Sequence, residues 1–101
     1  MTFAYTVFSE VDDEATGAAW SEWLCQTHLP DVVSAGARLA ELVRIDAKHF
    51  ESRYQFESRA AYERYIAEHS ARLRAATAEK FPEGLRLTRS AGEIVFVLNA
   101  R

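Results

Sequence analysis

Apolar and polar positions along the chain define four extended segments. Residues 3–11 are rich in aromatic and β-branched side chains, which suits a strand. Residues 37–46 and 49–57 are separated by a tight connection, so we expect them to pair as a hairpin, although an Asn-Gly turn signal is missing. Residues 85–98 read as one long strand that is irregular at Ala91-Gly92. The pattern therefore predicts four strands.

A first helix is predicted between the first two strands. The acidic run 12–14 offers an N-cap and a favourable first turn. Pro30 disfavours helical backbone at Leu29, so we expect the helix to end there, and Gly36 can end the short turn that follows. The face defined by helical spacing consists of Thr16, Trp20, Trp23, Leu24 and Thr27.

A second helix is predicted over residues 59–80. Ser58 is a good N-cap, and arginines and glutamates occupy the side opposite the apolar stripe. The sequence Phe-Pro-Glu-Gly at 81–84 is a turn that separates this helix from the last strand. The stripe consists of Tyr62, Tyr65, Ile66, His69, Leu73 and Ala76.

The predicted elements follow the order β-α-β-β-α-β, which is the split βαβ arrangement of ferredoxin-like domains. No internal repeat, low-complexity segment or linker interrupts the chain. We therefore expect residues 1–101 to form one α+β domain, a sandwich with two helices on one face of a four-stranded antiparallel sheet.

The strands also indicate that the second face of the sheet is covered. The second strand places Leu39, Val43 and Ile45 on one face and Ala40 and Leu42 on the other, and the end of the last strand is apolar without alternation. Helices can cover only one face. We therefore expect the other face to contact a second copy of the chain in a two-fold homodimer.

Composition excludes several classes of protein. The 12 basic residues are outnumbered by 15 acidic ones, and the net charge of −3 argues against a nucleic-acid partner. The third strand also lacks the basic-glycine-aromatic signature of RNA-recognition domains. Cys25 is the single cysteine, the first residues lack the basic region and the long apolar run of a signal peptide, and no segment reaches membrane-spanning length. We expect a cytoplasmic protein without a membrane partner.

Five short segments, in this order, resemble a known group of proteins. They are Trp23 to Asp31, Gly36-Ala-Arg38-Leu, Tyr54-Gln-Phe, Tyr62-Glu-Arg-Tyr65 and Glu68 to Arg74. With them the chain resembles the dimeric α/β-barrel superfamily, and most of all a bacterial domain-of-unknown-function family of about this length. The chain is shorter than that family between Asp31 and Arg38.

This resemblance implies two ferredoxin-like sheets that pack face to face. The superfamily includes cofactor-independent monooxygenases, haem-degrading enzymes, sugar mutarotases and ligand-sensing regulatory domains, and fold membership does not choose among them. The family itself implies no catalytic residues. The haem-degrading relatives use an asparagine on the sheet, whereas the single asparagine here is Asn99 near the carboxyl end. We therefore expect no cofactor.

His28 and His69 are the candidate acid/base groups. His28 lies at the predicted end of the first helix, where the helix dipole favours its protonated form. Alternatively, it only interacts with the last helical carbonyls. His69 lies on the apolar stripe, and it is alternatively a core histidine bonded to Tyr54 or Tyr65. The three histidines, including His49, lack a close ligand spacing, so no metal site is predicted.

We expect a modest apolar-aromatic pocket between the sheet and the helices, lined by Trp23, His28, Arg38, Tyr54 and His69. Arg38 can hold a carboxylate in a bidentate contact, or it pairs with an acidic residue across the dimer. The two tryptophans can wall an aromatic slot, or they pack in the core, as rings at this spacing more often do.

Three functions follow from these features. The leading hypothesis is a homodimer that binds a small organic ligand, aromatic or anionic, with His28 or His69 as the acid/base if it catalyses a reaction. The alternative is a structural or regulatory dimerisation module without a ligand. A cofactor-independent monooxygenase-like enzyme is a third possibility. A pocket on the order of several hundred Å³ that meets both histidines favours the first hypothesis. Histidines satisfied inside a solid core favour the second.

Overall fold

The computed structural model describes residues 1–100 and contains four strands: β1 Phe3–Val11, β2 Leu39–Asp46, β3 His49–Phe56 and β4 Leu85–Glu93. They form one antiparallel sheet in the order β2-β3-β1-β4. The hairpin predicted from the sequence is present, and the central strands β1 and β3 carry the buried sheet residues.

Two helical segments cover one face of this sheet. Each consists of two α-helices joined by a five-residue π-helical turn. The first segment is α1 Glu14–Trp23, the turn Leu24–His28 and α2 Leu29–Ser34, and the second is α3 Arg59–Tyr65, the turn Ile66–Ser70 and α4 Ala71–Lys80. The predicted ferredoxin-like α+β fold is therefore confirmed. None of the helices within residues 1–100 is long and apolar enough to cross a membrane.

Side-chain caps explain where the helical segments begin. The Asp13 carboxylate accepts a hydrogen bond from the Thr16 N–H at 2.8 Å, and the Ser58 hydroxyl accepts one from the Ala61 N–H at 3.1 Å. Each bond satisfies one of the N–H groups that the first helical turn leaves without a partner. Both starts agree with the sequence prediction.

The predicted end of the first helix at Leu29 is wrong. The Leu29 N–H donates to the Leu24 carbonyl five residues back, and the helix continues through Pro30 to Ser34. In a regular α-helix the proline ring would clash with the carbonyl four residues back. The wider π-helical turn lies directly before Pro30, and such local widening accommodates a proline within a continuing helix.

Each π-helical turn moves the buried face of its helix by one residue. Leu24 and Leu29 are both buried, as are Tyr65 and Ser70, and each pair is five residues apart. A regular helix would instead bury residues at spacings of three and four. Three residues of the predicted apolar faces therefore leave the core, contrary to expectation: Thr27, His69 and Ala76.

One buried hydrogen-bond chain connects the first helix to the two central strands. The Trp20 Nε1–H donates to the Ser9 Oγ at 2.8 Å, and the Ser9 hydroxyl donates to the Phe50 carbonyl at 3.4 Å. Trp20 is thereby fixed in the core with its polar atom satisfied. The largest fully buried side chains of the core are Trp20, Phe50, Phe56, Leu24, Val11 and Val32.

The last strand is shorter than predicted, because it ends at Glu93 and not at residue 98. Glu93 lies opposite Phe3, the first residue of β1, so no further partner residues exist on that strand. One more backbone bond, from the Ile94 N–H to the Thr2 carbonyl at 2.9 Å, closes the pairing. The apolar residues that follow are exposed in this chain.

Gly17 marks the closest approach between α1 and the β2–β3 connection. A methyl group added at Gly17 would meet the carbonyl oxygen of Ala47 well inside contact distance. In an open helix, glycine to alanine stabilises by about 1 kcal/mol, but here backbone would have to move.

We therefore expect Gly17→Ala to lower the free energy of unfolding by about 1–3 kcal/mol in urea denaturation. Gly92→Ala is the control, because no atom lies near the added methyl group and the backbone there has no positive φ. Equal or higher stability of Gly17→Ala would contradict the tight contact with Ala47.

Candidate functional site

A small cavity lies between the sheet and the two helical segments. Its volume is about 30 Å³, which is room for about two water-sized groups and not for a whole organic molecule. Both central strands, β4 and both helical segments contribute to its wall. The lining residues are Tyr5, Val7, Trp20, Leu24, His28, Ser52, Tyr54, Tyr65, Leu73, Arg74, Thr77, Leu87 and Arg89.

A wider open groove adjoins this cavity between α4 and β4. Its volume is about 300 Å³, and it shares Arg74, Thr77, Leu87 and Arg89 with the cavity wall. The rest of its lining is mainly apolar: Ala78, Phe81, Pro82 and Leu85. The cavity and the groove therefore share one wall, and this wall includes two arginines.

These two arginines are available for an external partner. Within residues 1–100, neither Arg74 nor Arg89 forms an ion pair or a side-chain hydrogen bond. Both are exposed, and the same lack of a carboxylate partner is found at Arg38, Arg44 and Arg64, so what distinguishes the pair is its place in the wall shared by the cavity and the groove. A guanidinium presents a planar set of donors that matches a carboxylate or another oxyanion. The shared wall is thus suited to an anionic group.

His28 faces the cavity as a neutral imidazole. Burial lowers its pKa below the usual value, and Arg89 lowers it further, whereas the Asp31 carboxylate raises it. The expectation that a helix dipole keeps His28 protonated is wrong, because the helix continues into α2 and His28 is not at its end. A neutral imidazole can accept a proton from a bound ligand.

Trp23 packs against His28 outside the cavity. Its ring stacks on the His28 ring with centroids 5.2 Å apart and on Trp20 at 5.7 Å. Phe81 meets both tryptophans edge-on. Trp20 is a core residue that reaches the cavity, and Trp23 does not line it. The tryptophans thus hold the imidazole in place, and only Trp20 can contact a group inside the cavity.

Three tyrosines form the polar part of the cavity wall. Tyr5 stacks on Tyr54 with ring centroids 5.7 Å apart and also contacts Tyr65 at 6.3 Å. Burial raises the pKa of Tyr54 and raises the pKa of Tyr65 to about 12. Both phenols therefore stay protonated near neutral pH and can donate hydrogen bonds. The Tyr54 hydroxyl is buried and has no hydrogen-bond partner within the described residues.

The cavity contains two of the five residues predicted to line a pocket. His28 and Tyr54 are in its wall, and Trp23 contacts His28 from outside. Arg38 is exposed before β2, where its backbone N–H donates to the Gln55 carbonyl at 2.8 Å. His69 is partly exposed beside Arg72, because the π-helical turn places Ser70 towards the sheet instead. The expected meeting of His28, Arg38 and His69 in one cavity is therefore wrong.

Sequence reasoning missed Arg74 and Arg89, for different reasons. Arg89 follows Leu85 and Leu87 at a spacing of two, so all three lie on the inward side of β4. A charged residue at a position where the alternation predicts an apolar one is a signal that the sequence contains. Arg74 carries no such signal. It is one of several arginines on its helix, and the π-helical turn before it changes which side of the helix faces the sheet, which the sequence did not predict.

His49 belongs to a separate charged cluster on the opposite, outer face of the sheet. Its Nδ1 lies 2.7 Å from the Asp46 carboxylate, and its Nε2 lies 3.0 Å from the Glu10 carboxylate. These hydrogen bonds, first to Asp46 and then to Glu10, raise the pKa of His49. Arg86 in turn contacts Glu10 and Asp12, each at 2.8 Å. No group of three or more potential metal ligands occurs within residues 1–100.

The sheet, its strand order and the two covering helical segments define a ferredoxin-like α+β protein. The chain belongs to the family described as a domain of unknown function, DUF4286, whose model matches residues 2–94. This membership confirms the resemblance to an uncharacterised family of this length. No curated protein matches the chain.

Several solved structures are similar in fold. A dimeric ferredoxin-like protein from an uncultured marine organism is 14% identical, with a TM-score of 0.77 over 96% of this chain and 98% of that one. A monooxygenase from the ActVA-Orf6 gene of Streptomyces coelicolor, in complex with nanaomycin D, is 20% identical, with a TM-score of 0.66 over 96% and 92%. SnoaB, a cofactor-independent oxygenase from Streptomyces nogalater, is 9% identical, with a TM-score of 0.66 over 98% of both chains. At these identities the likeness shows the fold alone.

The opposite environments of His28 and His49 predict opposite pKa shifts. In an NMR titration of the histidine ring protons, we expect His28 to titrate below about 6.5 and His49 above it. The unfolded chain binds a proton at His28 more readily than the folded protein does, so His28 makes the folded state less stable as the pH falls from the unfolded pKa of the imidazole to its folded pKa. His49 has the opposite effect, because the folded protein binds its proton more readily, and the stability that this contributes is lost as the pH rises through the folded pKa of His49.

His28→Gln and His49→Gln assign the two resonances, because each variant loses one of them. A His28 resonance that titrates above that of His49 would show that burial does not control its protonation.

Proposed function

We propose that this protein binds a small, planar organic anion in the groove between α4 and β4, with one end of the ligand in the buried cavity. The observation that carries the proposal is the pair Arg74 and Arg89. Both line the groove as well as the cavity, and neither has a carboxylate partner within residues 1–100. Two unpaired cations at one opening favour an anionic ligand, although the protein as a whole carries a net charge of −3.

The walls of the groove support a ligand with an apolar, flat body. Phe81, Pro82 and Leu85 line its outer part, and aromatic rings continue into the cavity. The groove volume of about 300 Å³ is at the lower end of the range for small-molecule sites. The ligand of this proposal is therefore about the size of one or two fused rings and carries one acidic group.

The alternative is a dimerisation module without a ligand. The cavity of about 30 Å³ meets only one of the two histidines proposed as acid/base groups. It therefore matches neither the large pocket that meets both histidines nor the solid core that satisfies them, which were the two outcomes expected from the sequence. It is too small for the large pocket of the ligand hypothesis, and its unpartnered Tyr54 hydroxyl is not typical of a fully satisfied core. The module is the outcome that a failed binding test would support.

Binding is tested by calorimetry with 2-hydroxy-1,4-naphthoquinone, a two-ring anion at neutral pH. We expect Arg74→Gln and Arg89→Gln each to weaken binding by roughly 10- to 100-fold, because each removes a charge-assisted hydrogen bond. The neutral analogue 2-methoxy-1,4-naphthoquinone should bind the wild-type protein less tightly.

Arg64→Gln is the matched control, because Arg64 is exposed on α3 and lies outside both the groove and the cavity. Equal affinities of the three arginine variants would refute the site. Absence of binding to the wild-type protein would support the dimerisation module.

An oxygenase is the second candidate, favoured by the fold shared with a monooxygenase and a cofactor-independent oxygenase and by the neutral His28 at the cavity. In such a reaction an activated methylene of the substrate loses two hydrogens and gains one oxygen atom of O₂. The other oxygen atom leaves as water with those hydrogens, so the substrate supplies all the electrons. His28 would accept the first proton. Oxygen uptake with 1,3-indandione, an acidic two-ring compound with an activated methylene, compared between the wild-type protein and His28→Gln, separates turnover from binding.

We also propose that the chain forms a homodimer through the outer face of its sheet. Residues 95–98 expose four large apolar side chains, at 65–83% of their full accessibility, directly after the edge strand β4. Three further exposed apolar residues lie on the outer face: Phe8, Leu39 and Ile45. Exposed apolar surface of this extent is typical of a protein interface, and two of the similar structures are described as dimeric.

We expect light scattering coupled to size exclusion to give about twice the chain mass of 11.4 kDa at micromolar concentration. The variant Phe96→Asp should shift the protein towards the mass of one chain, because the charge would have to be buried in the interface. Val33→Asp is the control, since Val33 is an exposed apolar residue on the helical side. A wild-type protein of single-chain mass would refute the dimer.

A further inference from the structure

We propose that the Tyr54 hydroxyl selects the ligand of this site by donating a hydrogen bond to a carbonyl or phenolate oxygen at the inner end of the ligand. This inference rests on the proposed function, and it narrows the ligand class. The ligand would be a planar ring system that carries an anionic group for the arginines and, further in, a hydrogen-bond acceptor oxygen.

The Tyr54 hydroxyl is exceptional among the polar groups of the core. Tyr54 is 2% exposed, and its Oη forms no hydrogen bond of good geometry within residues 1–100, although the buried side chain of Ser52, two residues earlier on β3, lies beside it. The buried hydroxyls of Ser9, Ser70 and Thr77 each donate to a backbone carbonyl. Leaving a buried donor unsatisfied is costly, and native proteins rarely do so without a functional reason. The partner of Tyr54 is therefore expected to come from outside the polypeptide.

The surroundings of Tyr54 hold its ring in place. Tyr54 lies on the inward side of β3, opposite Tyr5 on β1, and the two rings stack. On its other side, β2 places Ala40 opposite Tyr54. A ring packed between neighbouring strands cannot turn towards solvent to satisfy its hydroxyl. The hydroxyl is thus fixed as a donor before a ligand arrives, which lowers the entropic cost of binding.

The size of the cavity determines what can reach this hydroxyl. Tyr54 and His28 both line the cavity of about 30 Å³, which accommodates an oxygen atom and the carbon that carries it but not a ring. Because burial raises the pKa of Tyr54, the phenol stays protonated and donates. An acceptor oxygen is therefore preferred there, while the ring of the ligand stays in the groove beyond the two arginines.

A pair of probes tests this selectivity in calorimetry. The anion of 2-hydroxy-1,4-naphthoquinone carries ring carbonyls, whereas 2-naphthoate is an anion on the same two-ring skeleton without them. We expect Tyr54→Phe to weaken binding of the quinone by about five- to tenfold and to change binding of 2-naphthoate by less than about twofold. Equal losses for both probes, or no loss for the quinone, would overturn the inference.

Thermal unfolding without a ligand gives an independent result. Because the Tyr54 hydroxyl forms no hydrogen bond of good geometry within residues 1–100, although the Ser52 side chain lies beside it, Tyr54→Phe should lower Tm far less than Ser9→Ala does. Ser9→Ala is the matched control, since it removes the acceptor of the buried Trp20 N–H and should lower Tm by about 5 °C or more. A loss of Tm in Tyr54→Phe as large as in Ser9→Ala would show that the hydroxyl is already satisfied and would overturn the inference.

The two proposals fail in different ways. If the wild-type protein binds neither probe, the proposed function is overturned, and this inference with it. If the wild-type protein binds the quinone and the arginine variants weaken that binding while Tyr54→Phe does not, only the role of Tyr54 is overturned.

Discussion

The extra residue in each helical segment is the constraint on which the site depends. The π-helical turns Leu24–His28 and Ile66–Ser70 shift the buried face of each segment by one position. In the first segment the shift keeps the helix continuous through Pro30 and leaves His28 inside the helix, against the cavity. In the second it turns Ser70 inward and His69 outward. The first turn contributes Leu24 and His28 to the cavity wall, and the second lies between the cavity residues Tyr65 and Leu73. Such turns often occur at functional sites.

The buried polar groups around the cavity differ in whether they have a hydrogen-bond partner within the protein. Trp20 and Ser9 satisfy each other and a strand carbonyl, so this part of the core joins helix and sheet firmly. Tyr54, in the neighbouring strand, is equally buried but has no partner within residues 1–100. Local rules of packing are generally broken where function requires it. The contrast therefore separates the structural half of this core from the half that we assign to a ligand.

The sequence predicted the fold well because its signals are local. Alternation within the strands and the caps Asp13 and Ser58 need no knowledge of tertiary structure, and both helical segments begin where they predict. The site was predicted less well because helical periodicity was extended across turns that break it. His69 was misplaced for this reason. The end of β4 at Glu93 depends on where its partner strand β1 begins. The apolar run 94–98 carries no information about that partner, so the sequence predicted a strand that is too long.

The register of β4 connects the outer face of the sheet to the proposed ligand site. Arg86 lies opposite Glu10 across the strand pair and contacts its carboxylate at 2.8 Å. Such an exposed pair contributes little to stability, but opposite charges directly across a ladder favour one register over its neighbours. A slip by one residue would turn Leu87 and Arg89 to the outer face, because side chains alternate along a strand. The charged cluster around Glu10 therefore helps to keep Arg89 at the cavity, although it lies on the other side of the sheet.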